Sequence, residues 1–259
     1  MAQASDSPLA PSDLPEIVRK IRARTPARLL AGRAGAGYRT ATQLELREVH
    51  AAARDAVRAE LDLSKAFGAE FVRRWRLFQV RTKATSKDEY LLRPDLGRHF
   101  EDASCGLIQR HCPRGCDLQI AIGDGLSAPA VATQVPSLLP LLYEGARMRR
   151  WEVGQAFVIR HCRVGVLNEI GEMLDPNVVI LLIGERPGLT TVESLSAYMA
   201  YRPRTWHTDA NRNLISNIHA RGLSPQVAAA RILSFAEQMV RARISGSMLR
   251  GELPALGDS

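Results

Sequence analysis

Six consecutive aliphatic residues, Val178-Val179-Ile180-Leu181-Leu182-Ile183, constrain the fold of this chain more than any other feature. Successive side chains of a strand point to opposite faces. A run with no polar member therefore has no face to offer water. At six residues it is also far short of the ~20 that a membrane-spanning helix needs. It reads as a central strand of a parallel sheet, covered on both sides. Asp117–Ile122, ending in Gly123-Asp124-Gly125, and Gln155–Arg160 read as two more strands, and Ser194–Tyr201 as a fourth. Helical spacing fills the gaps: Ala132–Met148, with breaks expected at Pro136 and Pro140, then Asn168–Leu174. A final helix starts at Ser224-Pro225, with Ser as N-cap and Pro in the first position, and runs to about Arg243. The alternation predicts an α/β fold in which a doubly wound, Rossmann-like, mostly parallel sheet occupies residues 89–259.

The chain ahead of that domain differs in character. Residues 1–12 are rich in Ala, Ser and Pro and are expected to form a disordered tail. Residues 13–88 are expected to be mainly helical. Leu14, Ile17, Val18 and Ile21 recur at helical spacing, Gly32–Arg39 makes a flexible basic loop, and Thr40–Leu63 reads as a long helix. The net charge of +8 is uneven: residues 1–116 hold 21 Lys/Arg against 14 Asp/Glu, whereas the remainder holds 14 against 13. Aromatic residues are only 5% and no nucleic-acid-binding motif accompanies the basic excess. A solvated face or a protein interface explains that excess better than nucleic acid does. The first twelve residues have neither the basic nor the apolar region of a secretory signal, and four cysteines are too few for a disulfide scaffold. The expected setting is cytoplasmic.

In an open parallel sheet, ligands sit beyond the carboxyl ends of the strands. Two sharp turns lie there: Gly123-Asp124-Gly125-Leu126-Ser127-Ala128 and Gly184-Glu185-Arg186-Pro187-Gly188-Leu189. The first fits the loose dinucleotide pattern G-x-G-x-x-G/A, which makes a nucleotide-binding oxidoreductase one reading of the chain. Against it, the second strand ends Ile159-Arg160-His161, with no acid for ribose hydroxyls, and Asp124 would crowd a pyrophosphate. A tight turn needing positive φ accounts for the glycines equally well. In the second turn, Glu185 and Arg186 either reach a polar ligand or pair with each other. Ser216 and Asn217 are short polar groups suited to hold a ligand amide or to cap a helix.

Catalytic machinery is not legible. Cys105, Cys112 and Cys116 lack the paired spacing of a zinc site, so no metal ligands are assigned. Cys162 has no evident base, and there is no G-x-S-x-G elbow. A ligand domain without acid, base or nucleophile suits a subunit that holds a cofactor for another chain.

A series of short motifs carries the reading further. Thr25-Pro26-Ala27-Arg28 to Gly32-Arg33-Ala34-Gly35, Tyr90-Leu91-Leu92-Arg93-Pro94-Asp95-Leu96-Gly97-Arg98 and Asp124-Gly125-Leu126-Ser127 occur in order. They are followed by Gly184-Glu185-Arg186-Pro187-Gly188-Leu189, Glu193-Ser194-Leu195-Ser196 and Ile215-Ser216-Asn217-Ile218-His219. In these, the chain resembles the small (light) subunit of adenosylcobalamin-dependent ethanolamine ammonia-lyase. The resemblance implies a lyase holoenzyme that turns ethanolamine into acetaldehyde and ammonia by a radical mechanism. It implies a large-subunit partner bearing the substrate site, and a cobalamin held where the two subunits meet. Family cobalamin contacts carry over to Val164 and Glu185. A third family position, Cys in other members, is Leu214 here. The turn argument adds Asp124, Gly125, Ser127, Arg186, Ser216 and Asn217 as candidate cofactor-binding residues. No catalytic residue is assigned to this subunit. Some family members enter a bacterial microcompartment through a long amphipathic N-terminal extension; only about twelve residues precede the first shared helix here.

Overall fold

The computed structural model describes residues 16–24, 33–34, 36–188 and 191–249. The expected tail over 1–12, the helix start at Pro15, the Thr25–Arg28 motif and Leu189 lie outside them. The chain opens with α1 (Glu16–Arg24), a two-residue hairpin of β1 (Arg33–Ala34) and β2 (Gly37–Tyr38), and α2 (Thr40–Arg58). Two short helices follow, α3 (Leu63–Phe67) and α4 (Ala69–Arg74). Then come β3 (Phe78–Arg81), α5 (Lys87–Leu92), α6 (Asp102–His111), β4 (Leu118–Gly123) and α7 (Ala128–Met148). The chain continues through β5 (Phe157–Arg160), α8 (Val166–Leu174), β6 (Val178–Gly184), β7 (Leu195–Tyr201), β8 (Asn213–Ile218) and α9 (Pro225–Ala242).

Six strands make one sheet in the order β3-β5-β4-β6-β7-β8. β3, β5, β4 and β6 run parallel; β7 and β8 continue the sheet antiparallel. The doubly wound α/β arrangement expected from the sequence is therefore present, with an antiparallel extension. β3 comes from the stretch read as helical: Phe78-Gln79-Val80-Arg81 is too short for periodicity to register, and its pairing with β5 decides its state. β8 gives no clear strand signal either. It mixes buried and exposed residues, as befits a sheet edge. α7 passes through Pro136 and Pro140 without a break. Each proline in a helix interior costs roughly 3 kcal/mol. The helix offsets this by burying Val131, Val135, Leu138, Leu139 and Leu142 completely.

The aliphatic run sits where its composition requires. In β6, Ile180 and Leu182 face a core shared with α7 and α9, and Val179 and Leu181 face a second core shared with α8. Among the described residues no helix is long and apolar enough to cross a membrane. Because the two cores are independent layers, Leu181→Ala and Leu182→Ala should each lower the unfolding free energy by ~2–5 kcal/mol. Chemical denaturation of both variants checks this, and a negligible loss at either position would contradict double-sided burial.

Candidate ligand site at the carboxyl edge of the sheet

From β4 the chain moves to β5 on one side and then crosses to β6 on the other. That reversal opens a crevice at the carboxyl ends of the three strands. A cavity of about 480 Å³ occupies it, lined by Gly125 and Leu126 after β4, by Cys162, Arg163 and Val164 after β5, and by Ile183–Arg186 at the end of β6. Tyr90 of α5, Ser196 and Tyr198 of β7, and Leu214 and Ser216 of β8 complete the lining.

The turns after β4 and β6 press directly on one another. Gly125 has φ +55°, and a Cβ there would lie 2.3 Å from the Gly184 carbonyl oxygen. Only glycine meets both demands. Three amides of the turn are already engaged: Asp124 N donates to Ile159 O at 3.1 Å, Leu126 N to Gly184 O at 3.1 Å, and Ser127 N to Asp124 O at 3.3 Å. Ser127 caps α7 by accepting from Ala130 N, while its hydroxyl donates to Val192 O. A dinucleotide site needs such amides free for a pyrophosphate. The oxidoreductase reading of Gly123–Ala128 thus loses its physical basis.

Asp124 holds the site together without lining it. Its carboxylate accepts from His161 N at 2.9 Å and from Cys162 N at 2.8 Å. It also pairs with Lys87 Nζ at 3.4 Å, the two side chains being only 2% and 8% exposed. Lys87 donates to Gly125 O at 3.2 Å as well, and the Tyr90 hydroxyl donates to Cys162 O at 3.0 Å. The Arg163 guanidinium lies 4.2 Å from the Tyr90 ring centroid. One carboxylate therefore ties α5 to the turn after β4 and to the segment that carries Val164. Burial, reinforced by Asp124, pushes the Cys162 thiol well above its usual range, so it remains protonated.

Glu185 is spent on the antiparallel extension rather than on Arg186. Its carboxylate accepts from the Ser194 hydroxyl at 2.8 Å, from the Ser196 hydroxyl, and from Asn217 N at 3.1 Å. Asn217 adopts φ +63°, and its side-chain oxygen lies 2.7 Å from His219 Nε2. Asn217 thus shapes the end of β8 and does not line the cavity, whereas Ser216 does. Arg186 is exposed and also lines the cavity.

The helices do not cover the sheet evenly. α9 packs on β7 and β8 from one side, burying Leu195, Ala197 and Met199. On the opposite face, α8 packs on β6, and Leu214 is left 48% exposed on β8. The cavity lies on this partly open face. Of the residues expected from the sequence, Gly125, Val164, Glu185, Arg186 and Ser216 share the cavity with Leu214; Asp124, Ser127 and Asn217 support it from behind. Sequence spacing does not single out Lys87, Arg163 or Tyr198, nor Tyr90 as a site residue. Tyr90 opens the Tyr90–Arg98 motif, and Lys87 is one of only four lysines, but neither signal says that α5 folds against β4. Asp124→Ala would leave a buried ammonium and two amides without their acceptor, and it should cost ~3–5 kcal/mol of stability. Asp124→Asn, which keeps one acceptor oxygen, should cost less. Denaturation midpoints of the two variants test this ordering.

The comparisons with known proteins agree with one another. The family model described as ethanolamine ammonia-lyase light chain (EutC) matches residues 15–250. The ethanolamine ammonia-lyase small subunit of Clostridium perfringens is 40% identical over 235 residues, covering 91% of this chain and 78% of that protein. That of Listeria monocytogenes is 40% identical over 231 residues, covering 89% and 77%. That of Clostridioides difficile is 40% identical over 230 residues, covering 89% and 76%. With the family model spanning nearly the whole described chain and relatives at this identity along most of their own length, the chain belongs to the ethanolamine ammonia-lyase light chain family.

Proposed function

We propose that this chain is the small subunit of an adenosylcobalamin-dependent ethanolamine ammonia-lyase, and that the cavity at the switch point holds the cobalamin against the large subunit. One observation carries the reading. The three positions that the family resemblance singles out, Val164, Glu185 and Leu214, come from three separate elements and line one cavity.

The residues suit the group. A corrin is an apolar macrocycle edged with amide side chains. Val164 and the exposed Leu214 offer apolar contact. Glu185 Oε2, which among the described residues accepts only from the Ser194 hydroxyl, keeps a lone pair for a corrin amide N–H, and Ser216 adds a hydroxyl. Arg163 Nε is buried without a partner among the described residues, which leaves a donor for an amide carbonyl. Leu214 takes a position that is Cys in other members, so its contact is packing alone. When bound, adenosylcobalamin supplies the radical chemistry that converts ethanolamine to acetaldehyde and ammonia. This chain's own residues bind, orient and exclude water. Asp124 and Lys87 fix the segment that carries Val164, and Glu185 fixes the ends of β7 and β8 beside Leu214.

The experiment is an absorbance spectrum of the chain co-expressed with its large subunit, mixed with adenosylcobalamin and desalted, then given ethanolamine. Retained corrin bands that change on adding ethanolamine are expected; a colourless protein fraction would overturn the reading. Val164→Ala and Leu214→Ala should each weaken retention by about tenfold, as expected for one to two buried methylene equivalents. Equal retention by both variants and wild type would remove the cavity from the binding site.

A further inference from the structure

We infer that His161 is a positioning residue of the cofactor site: in its charged form it fastens the strand end that carries Cys162, Arg163 and Val164 to Glu60 of the N-terminal helical segment. The inference rests on the cobalamin reading above and goes beyond it by tying the site to a titratable group that does not line it. His161 directly follows β5 and has φ +58°, in the left-handed region where a non-glycine residue stays only when its surroundings hold it. The backbone is held on both sides: its N–H donates to Asp124 at 2.9 Å, and its carbonyl accepts from the Thr82 hydroxyl at 2.9 Å. The ring lies against Tyr90, with centroids 6.0 Å apart, and the side chain is only 3% exposed. The next three residues line the cavity, so whatever holds this ring also holds them.

The two ring nitrogens both face acceptors. Nδ1 lies 2.9 Å from Ala84 O. A carbonyl can only accept, so Nδ1 carries a hydrogen. In the neutral ring Nε2 would then be a bare lone pair. Nε2 is buried, has no hydrogen-bond partner among the described residues, and faces Glu60 Oε1 at 3.6 Å. That distance is too long for a hydrogen bond and close enough for a charged contact. A lone pair turned toward a carboxylate is repelled by it, whereas an N–H of the imidazolium is attracted. The geometry therefore matches the charged ring.

The surrounding charges leave room for it. Glu60 lies between α2 and α3 and is 46% exposed. Its Oε2 pairs with Arg160, which leaves Oε1 to the ring, so one carboxylate holds two successive residues at the end of β5. From α5, Lys87 and Tyr90 face the same region, and from the turn after β4, Asp124 does. Lys87 and Asp124 pair with each other. On the ring's own segment, the Arg163 guanidinium lies over the Tyr90 ring and the Cys162 thiol stays protonated. Each neighbouring cation thus has a carboxylate or an aromatic face of its own. Histidine gives up its charge as pH rises through neutrality. The Glu60 contact is therefore present at low pH and lost as pH rises, and the segment from Cys162 to Val164 loses an anchor with it. Ligand affinity should fall in the same direction.

The test uses the co-expressed complex of both subunits. Adenosylcobalamin affinity is read by absorbance at about pH 6 and about pH 8, on either side of histidine's ordinary range. Wild type should bind about threefold more weakly at the higher pH, the size expected of a charged contact to a half-exposed carboxylate. Glu60→Gln keeps the shape and removes the charge, and a half-exposed side chain tolerates the change. It should bind as wild type does at the higher pH, with no pH dependence. Arg160→Gln should keep the wild-type dependence, because Glu60 Oε1 still faces the ring. A second readout needs no cofactor. Amide hydrogen exchange of residues 161–164, corrected for the intrinsic change of rate with pH, should quicken at the higher pH in wild type and not in Glu60→Gln. A flat wild-type profile, or an equal slope in Glu60→Gln, would overturn the inference. Loss of the slope in Arg160→Gln would also overturn it, and would give the effect to the Arg160 pair. A complex that binds no adenosylcobalamin at either pH would bring down the cofactor reading and the positioning role with it, whereas the exchange difference would still uphold the charged contact itself.

Discussion

The site depends on one buried carboxylate. Asp124 leaves the end of β4 and is met by two backbone amides from the β5 side and by the ammonium of Lys87 from α5. A buried charge is tolerable only when paired and hydrogen-bonded, and here the partners come from two other elements. The interaction is thus a positional constraint more than a source of net stability. It fixes the turn after β4, the segment carrying Val164 and the helix carrying Tyr90 relative to one another. The Tyr90 hydroxyl on Cys162 O and the Arg163 guanidinium over the Tyr90 ring extend the same contact outward.

Glu185 does the corresponding work on the other side of the crevice. β6 is parallel to β4 and β7 is antiparallel to β6, so the start of β7 and the end of β8 arrive at the same edge of the sheet. Glu185 gathers Ser194, Ser196 and Asn217 N there. Two carboxylates at two adjacent strand ends, one buried and one half-buried, frame the cavity between the parallel and antiparallel halves of the sheet. α9 closes one face of β7 and β8, while Leu214 and Ser216 on the other face remain exposed. That sheet face is left partly bare, with Arg163 and Arg186 at its edge.

The layout of the fold was largely legible because burial writes directly into composition. The Val178–Ile183 run had to be central, and the Gly-rich turns after β4 and β6 had to lie at strand ends. Short elements were less legible. β3 has four residues and β8 lies at an edge, so neither builds up a periodic signal, and each owes its state to a neighbour. The prolines of α7 show the reverse: local preference opposed the helix, and burial against the sheet prevailed.

By itself the sequence determined the layering, the positions of the two glycine-rich turns and the family, because these follow from residue types and their order. Only the tertiary structure decided what the polar residues of those turns do. The Asp124 carboxylate meets two backbone amides and Lys87, the Ser127 hydroxyl meets backbone groups, and the Asn217 side-chain oxygen meets the His219 ring. Tyr90, Arg98, Arg163 and Arg212, which sequence spacing left scattered, line two adjoining cavities, and Lys87 holds the turn after β4 behind them. The physical reason is that a polar side chain's role depends on which donors and acceptors reach it. Those partners come from strands and helices far along the chain: Lys87 and Gly125 O are 38 residues apart, and Tyr90 and Cys162 O are 72.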